Sequence, residues 1–192
     1  MGDPVLHLIV GPNGSGKSTL YETVIGPSTR LEFVNADVIA AQRWPEAAVA
    51  HSYDAARLAA RQRARLIDEQ RSFVAETVFS HESKVHLIED AVASRYLVTL
   101  HVVMVPEALS VARVHNRVVV GGHDVPDDKI RGRFRRLWPL VTRAIAIADH
   151  AIVYDNTRAA QPFRVVAEYA RGARIGAADW PTWTPAELLE QG

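Results

Sequence analysis

The sequence predicts an α/β fold, a doubly wound parallel sheet of about five strands flanked by helices. Two observations carry the prediction. Short apolar runs alternate with helix-length stretches along the chain. Those runs are continuous rather than alternating, the pattern of strands covered on both faces.

Taken in order, Val5–Val10 is the first strand, apolar except for His7. Residues 31–36, 73–79, 97–105 and 151–154 supply the other four. Helices are expected over 17–24, 54–70 and 81–94, through a long Arg-rich region at 107–149, and as a final amphipathic helix at 161–171. The tail over 172–192 contains Trp180-Pro181-Thr182-Trp183-Thr184-Pro185. It reads as an extended strap whose tryptophans pack back onto the core. There is no internal repeat and no Gly/Ser linker, so one domain is expected over 1–192.

Composition removes several classes of function. With 192 residues and no cysteine, a disulfide framework and a cysteine zinc site are impossible. Hydrophobic residues at 48% and charged residues at 23% are ordinary for a globular domain. The formal net charge is +0, so bulk electrostatics favours neither nucleic acid nor an anionic membrane as partner. The opening apolar run is too short to span a membrane and lacks the basic start of a leader, so a cytoplasmic protein is expected. The neutral sum conceals an asymmetry, because 19 of the basic residues are Arg and only Lys17, Lys84 and Lys129 are Lys.

Residues 11–18 read Gly-Pro-Asn-Gly-Ser-Gly-Lys-Ser, a full match to G-x-x-x-x-G-K-[ST]. Gly11, Gly14 and Gly16 let the backbone close around an anion, and the intervening Pro12, Asn13 and Ser15 complete the loop. The helix that follows adds its positive N-terminus through Lys17, Ser18 and Thr19. Lys17 is placed to reach the β- and γ-phosphates, and the Ser18 hydroxyl to ligate Mg²⁺. The motif calls for a nucleoside triphosphate, ATP or alternatively GTP. It leaves open what receives the phosphate.

Two acids sit where strands end. Asp37 follows Phe33-Val34-Asn35-Ala36, and Glu76 lies in Phe73-Val74-Ala75-Glu76-Thr77. A kinase needs a carboxylate to take the proton of the attacking hydroxyl, and Asp37 is the better candidate. The competing reading makes Asp37 a helix N-cap. Glu76, inside an apolar strand, needs a partner such as an Arg, a metal-bound water or a substrate hydroxyl. Thr77 and His81 lie nearby.

Between Arg113 and Arg136 there are six Arg and Lys129 against Asp124, Asp127 and Asp128. The segment Gly121-Gly122-His123-Asp124-Val125-Pro126 breaks the helix and makes a hinge. Arg113 and Arg117 precede it, and Arg131, Arg133, Arg135 and Arg136 follow. Together they read as a lid over about 107–140 that delivers guanidinium groups to phosphate oxygens. His123 is a candidate substrate contact. His101, His115 and His123 lack metal-ligand spacing. The row Arg57, Arg61 and Arg65 reads as a solvated helix face. Asp155-Asn156 after the fifth strand is either a turn or, through Asn156, a nucleotide contact.

These residues resemble the short members of the zeta toxin family. The resemblance runs over roughly residues 5–160 and keeps the family's order: the phosphate loop, Asn35-Ala36-Asp37, Glu76-Thr77, the Gly-Gly-His-x-Val-Pro lid with Arg117, Arg133 and Arg136, then Tyr154-Asp155-Asn156. It implies a P-loop kinase fold and phosphorylation of the 3′-hydroxyl of UDP-N-acetylglucosamine, with a separate antitoxin as partner. It implies Asp37 as catalytic base, Asn35, Glu76 and Thr77 on the substrate, Lys17 and Ser18 on ATP and Mg²⁺, and Arg117 with Arg133 or Arg136 as lid arginines. Longer members follow the base with Phe-Arg and His-Pro, where this chain has Val38-Ile39-Ala40-Ala41-Gln42-Arg43-Trp44-Pro45. No fused antitoxin segment is expected. A different acceptor (a nucleoside, another sugar or a nucleic-acid end) and a non-catalytic nucleotide switch are the alternatives.

Overall fold

The computed structural model describes residues 2–119 and 125–190, the side chains of Val118 and Val119 excepted. Seven strands form one sheet in the order β2-β3-β1-β4-β5-β6-β7. The strands are β1 (Val5–Val10), β2 (Glu32–Val34), β3 (Phe73–Thr77), β4 (Leu97–Met104), β5 (His150–Asp155), β6 (Arg164–Ala170) and β7 (Ala173–Ile175). The five expected strands are all present and mutually parallel, and β6 and β7 add an antiparallel edge.

The edge corrects the sequence reading of 161–171 as a helix. Val165 and Val166 are β-branched and favour a pleated surface over a helix. Arg171 and Gly172 take φ of 48° and 76°, a turn that returns the chain antiparallel into β7. β6 thereby covers the free edge of β5.

Period-2 alternation sorts the two faces. Leu6, Leu8, Val98, Leu100, Val102, Ala151 and Val153 point to the main core. That face is covered by α4 (Ser52–Asp68), α5 (Ser83–Ala93) and α7 (Asp127–Ile147), with α8 (Ala186–Leu189) packed on α7. Trp180 and Trp183 lean on the same core, as the strap reading requires. Ile9, Val74, Val103 and Tyr154 point the other way and meet Leu20 and Ile25. Those two belong to α1 (Lys17–Leu20) and to the π-helical stretch Tyr21–Ile25 that leads into α2 (Gly26–Thr29). Pro27 has no N–H to donate, and the widened stretch lies immediately before it. His7 also faces this side, within reach of His101 at 3.1 Å. His101 in turn meets the Tyr154 hydroxyl at 3.2 Å, and burial pushes its imidazole down to about 3, so it stays neutral.

The Arg-rich region splits into α6 (Glu107–Val119) and α7. From Phe134 onward α7 belongs to the main core, so only its first two turns are free to act with α6. Val111, Val114, Val125 and Ile130 form a small separate core that joins them. The Gly121-Gly122 hinge and His123 lie outside the described residues.

Sheet order places the site. From β1 the chain moves to β2 and β3 on one side, then crosses to β4 on the other. The carboxyl end of β1 is therefore the switch point where open α/β sheets hold ligands.

Candidate active site

The loop between β1 and α1 is held from three directions. Lys17, 7% exposed, folds its ammonium back to the Pro12 carbonyl at 2.9 Å. Burial pushes that ammonium below its ordinary value, opposed by the carboxylates of Glu76 and Asp37. From α6, the Ser110 hydroxyl donates to the Asn13 carbonyl at 2.6 Å. Arg113 donates to the Gly14 carbonyl at 3.5 Å and to the Asn156 carbonyl at 3.0 Å. From the end of β5, Asn156 Nδ2 donates to the Ser15 carbonyl at 2.8 Å. Asn156 thus fastens the loop, whatever else it contacts. Glycine is required at Gly11 and Gly16, with φ of 151° and 96°. A Cβ there would lie 2.3 Å from the Val103 carbonyl oxygen and 2.4 Å from Asn156 Nδ2 respectively.

The two acids differ in their surroundings. Asn35 ends β2 and is the N-cap of α3 (Ala36–Arg43), its Oδ1 accepting from the backbone N–H of Asp37 at 2.7 Å and of Val38 at 3.2 Å. The cap reading of Asp37 is therefore overturned, because Asn35 holds that position. The Asp37 carboxylate, in the first turn of α3, accepts no hydrogen bond from a described side chain and faces the cleft. Glu76, at the end of β3, is held on both sides. Ser18 Oγ donates to its Oε2 at 3.0 Å, and Asn35 Nδ2 donates to the same oxygen at 2.8 Å. The partner that an acid inside a strand demands is thus a hydroxyl and an amide, not an arginine.

Beyond Thr77 the chain turns through Phe79, which is fully buried at φ 63°. A bulky residue in left-handed backbone carries strain, and such strain gathers around functional sites. Here it carries Ser80, His81 and the start of α5 to the cleft wall.

The cleft has a volume of about 960 Å³. Among its lining residues are Lys17, Ser18, Thr19, Asn35, Asp37, Glu76, Thr77, Arg117, Arg133 and Asn156, with Asn13, Gly14 and Gly16 from the loop. Gly11, Pro12 and Ser15 belong to the loop but do not line the cleft. Arg136 is exposed on α7 and does not line the cleft, whereas Arg133 does. Arg57 and Arg65 lie on the outer face of α4, paired with Asp54 and Glu69, and Arg61 is exposed on that face. The sequence reading passed over Arg63 and Lys84, which both line the cleft. The signal for Arg63 is its place on the otherwise apolar stripe of Ala55, Ala59 and Leu66.

The Ser18 hydroxyl and the Glu76 carboxylate offer the oxygen donors a hard divalent cation prefers. Among the described residues, no cluster of three or more His, Cys, Asp or Glu could hold a metal alone. That fits Mg²⁺, which leans on substrate phosphates and waters for most of its ligands.

A family model described as an AAA domain matches residues 6–140, which span the phosphate loop, both acids and the lid arginines. The chain belongs to this AAA domain family (AAA_33). A comparison with curated protein sequences found no match. Solved structures share its P-loop kinase-like fold. AvrRxo1-ORF1:-ORF2 with ATP superposes with a TM-score of 0.72 at 18% identity, covering 98% of this chain and 63% of that one. This chain therefore spans less than two thirds of the AvrRxo1 chain it matches. The PezAT toxin-antitoxin system of Streptococcus pneumoniae gives a TM-score of 0.63 at 14% identity, covering 86% and 72%. The Pnkp1/Rnl/Hen1 RNA repair complex gives 0.55 at 19% identity, covering 73% and 46%. No helix among the described residues is long and apolar enough to cross a membrane.

Proposed function

We propose that this chain is an ATP-dependent phosphotransferase that phosphorylates a hydroxyl of a small molecule, with Asp37 as general base. The observation that carries the reading is the contrast between the two acids. Asp37 is left without a hydrogen bond from any described side chain and faces the cleft, while Glu76 is tied to Ser18 and Asn35. A base must be free to accept a proton, and a positioning acid must be fixed.

Each residue then has a task. The loop amides and Lys17 hold the triphosphate. Ser18, with Glu76 behind it, would hold Mg²⁺, whose charge would screen the phosphate oxygens. Asp37 takes the hydroxyl proton. Asn35 fixes the start of α3 and orients Glu76 toward the acceptor, with Thr77 beside it. Arg117 and Arg133 bring guanidinium groups to the phosphoryl oxygens, and their planar forks suit that geometry. His123 and Arg136 remain candidates from the sequence alone.

UDP-N-acetylglucosamine is the first acceptor to test, on the strength of the zeta-type motif order. ATP is the proposed donor, with GTP as the comparison. An antitoxin partner follows from the same reading, and the AvrRxo1 and PezAT matches are themselves two-component assemblies by description.

The test is incubation with ATP, Mg²⁺ and an acceptor panel (UDP-N-acetylglucosamine, sugar phosphates, nucleosides, 5′-hydroxyl oligonucleotides), scored by mass spectrometry. One acceptor should gain a phosphoryl group. Asp37→Asn should lower turnover by roughly 10²–10⁴-fold with nucleotide binding retained, and Lys17→Ala should abolish turnover. Full turnover in Asp37→Asn would remove it as the base. Tight nucleotide binding with no phosphorylated product from a metabolite extract would favour a switch.

A further inference from the structure

Apart from Lys129, which is exposed on α7, two cleft cations have no place in that scheme, one on α4 and one on α5. Arg63 on α4 is only 5% exposed and lines the cleft. It has no hydrogen bond or ion pair with any described residue, and burial alone lowers the pKa of its guanidinium. Lys84, in the first turn of α5, lines the same cleft. Its ammonium is pushed down to about 8 by burial and by repulsion from Arg63, with no carboxylate opposing either effect. A buried charge without a partner is costly, and proteins keep one where a ligand completes it.

The charge inventory of the cleft points the same way. Its lining carries seven Lys and Arg side chains against three carboxylates. A magnesium-bound nucleoside triphosphate brings roughly two negative charges, so a positive remainder is left. Lys17 is at the loop, and Arg113 and Arg117 are on α6. Arg63 and Lys84 instead sit on α4 and α5, close enough for the Arg63 guanidinium to push the Lys84 ammonium down.

We propose that Arg63 and Lys84 form an anion subsite that binds a phosphate or carboxylate group carried by the acceptor. The substrate class is then an anionic alcohol, such as a nucleotide sugar, a sugar phosphate or a hydroxy acid. Neutral nucleosides and neutral sugars are excluded. The word acceptor rests on the phosphotransferase reading; the subsite itself does not.

The experiment loads the protein with a non-hydrolysable ATP analogue and Mg²⁺, which fill the phosphate loop. Pyrophosphate and malonate are then titrated by calorimetry. The loaded wild type should bind one of them, pyrophosphate if the acceptor carries phosphate and malonate if it carries carboxylate. Arg63→Met and Lys84→Met should each weaken that binding by roughly tenfold to a hundredfold, with affinity for the analogue unchanged. Arg63→Met should also raise the melting temperature of the free protein, because it removes an uncompensated buried charge; a purely structural arginine would lower it. Failure of both anions to bind the loaded wild type, or equal binding to wild type and variants, overturns the subsite. Failure of the analogue to bind overturns the phosphotransferase reading instead. The pyrophosphate and malonate titrations are then repeated with the phosphate loop disabled by Lys17→Ala, with and without Arg63→Met, and decide the subsite alone.

Discussion

The two ends of the cleft are built on opposite principles. At the nucleotide end, main-chain groups do the work and side chains lock them. Ser110, Arg113 and Asn156 hold the carbonyls of Asn13, Gly14 and Ser15. At the α4–α5 end, where we propose that the acceptor binds, side chains from α3, α4 and α5 face the space, and Asp37, Arg63 and Lys84 arrive with no partner among the described residues. One end is preorganised and the other is poised. Preorganisation suits a ligand that never changes, because ordering costs are met in folding rather than in binding. Unsatisfied groups suit discrimination, because an acceptor that lacks the matching group leaves a buried charge exposed to its full penalty.

The largest effect should come from breaking the rigid end. Gly16→Ala puts a Cβ 2.4 Å from Asn156 Nδ2 on a backbone at φ 96°. Asn156 cannot retreat without loosening its bond to the Ser15 carbonyl. Nucleotide affinity should fall by roughly a hundredfold or more, measured with a fluorescent ATP analogue. Pyrophosphate binding at the α4–α5 side should survive, measured by calorimetry with the phosphate loop emptied by Lys17→Ala. Equal loss at both ends would mean that the cleft is one coupled unit.

The same division decides what could be learned from sequence. A backbone site must use glycines at fixed spacing, and Gly11, Gly14, Gly16, Lys17 and Ser18 declare it. Asn35, Asp37 and Glu76 stand out because they lie at strand ends, where open α/β sheets hold ligands, and all three line the cleft. Arg63 and Lys84 follow no motif, since each is one side chain on an otherwise ordinary helix. Their neighbourhood exists only after α4 and α5 pack on the same face of the sheet. The fold shows a parallel case. The parallel strands β1 to β5 are short, mostly apolar runs, too short for helices and rich in β-branched residues. The segment 163–170, which holds β6, carries Phe163, Val166, Ala167 and Ala170 at a spacing that also fits a helix. Only the open edge of β5 decides in favour of a strand.

A middle-sized effect should follow at the seam between the two ends. Asn35 caps α3 with its Oδ1 and holds Glu76 with its Nδ2. Asn35→Ala removes both functions. Loss of the cap should cost about 1 kcal/mol, or roughly 2–4 °C in melting temperature. Release of Glu76 should lower turnover about tenfold. Asn35→Ser separates the two, because a serine hydroxyl can still cap but is too short to reach Glu76. It should recover the melting temperature and not the turnover. Recovery of both would make the Glu76 contact incidental.

The smallest effect reads the cost of the poised end directly, without any ligand. Burial and the Arg63 guanidinium lower Lys84 from its ordinary value of 10.5 to about 8. Above pH 8 the folded chain releases that proton, while the unfolded chain keeps it to higher pH. The unfolded state then binds more protons, so stability must rise with pH across the window. Arg63 stays charged across that window, so it does not reverse the sign. The tyrosines Tyr96, Tyr154 and Tyr169 are all raised, and they act in the opposite sense once unfolded tyrosine ionises. The comparison therefore belongs between pH 8 and about 9.5, as a difference between wild type and Lys84→Met. Lys84 is partly exposed, so solvent screening keeps the gain to roughly 1–3 °C. A flat difference would show that Lys84 is charged and already compensated. The acceptor end would then be as satisfied as the loop, and the contrast between the two ends would fail.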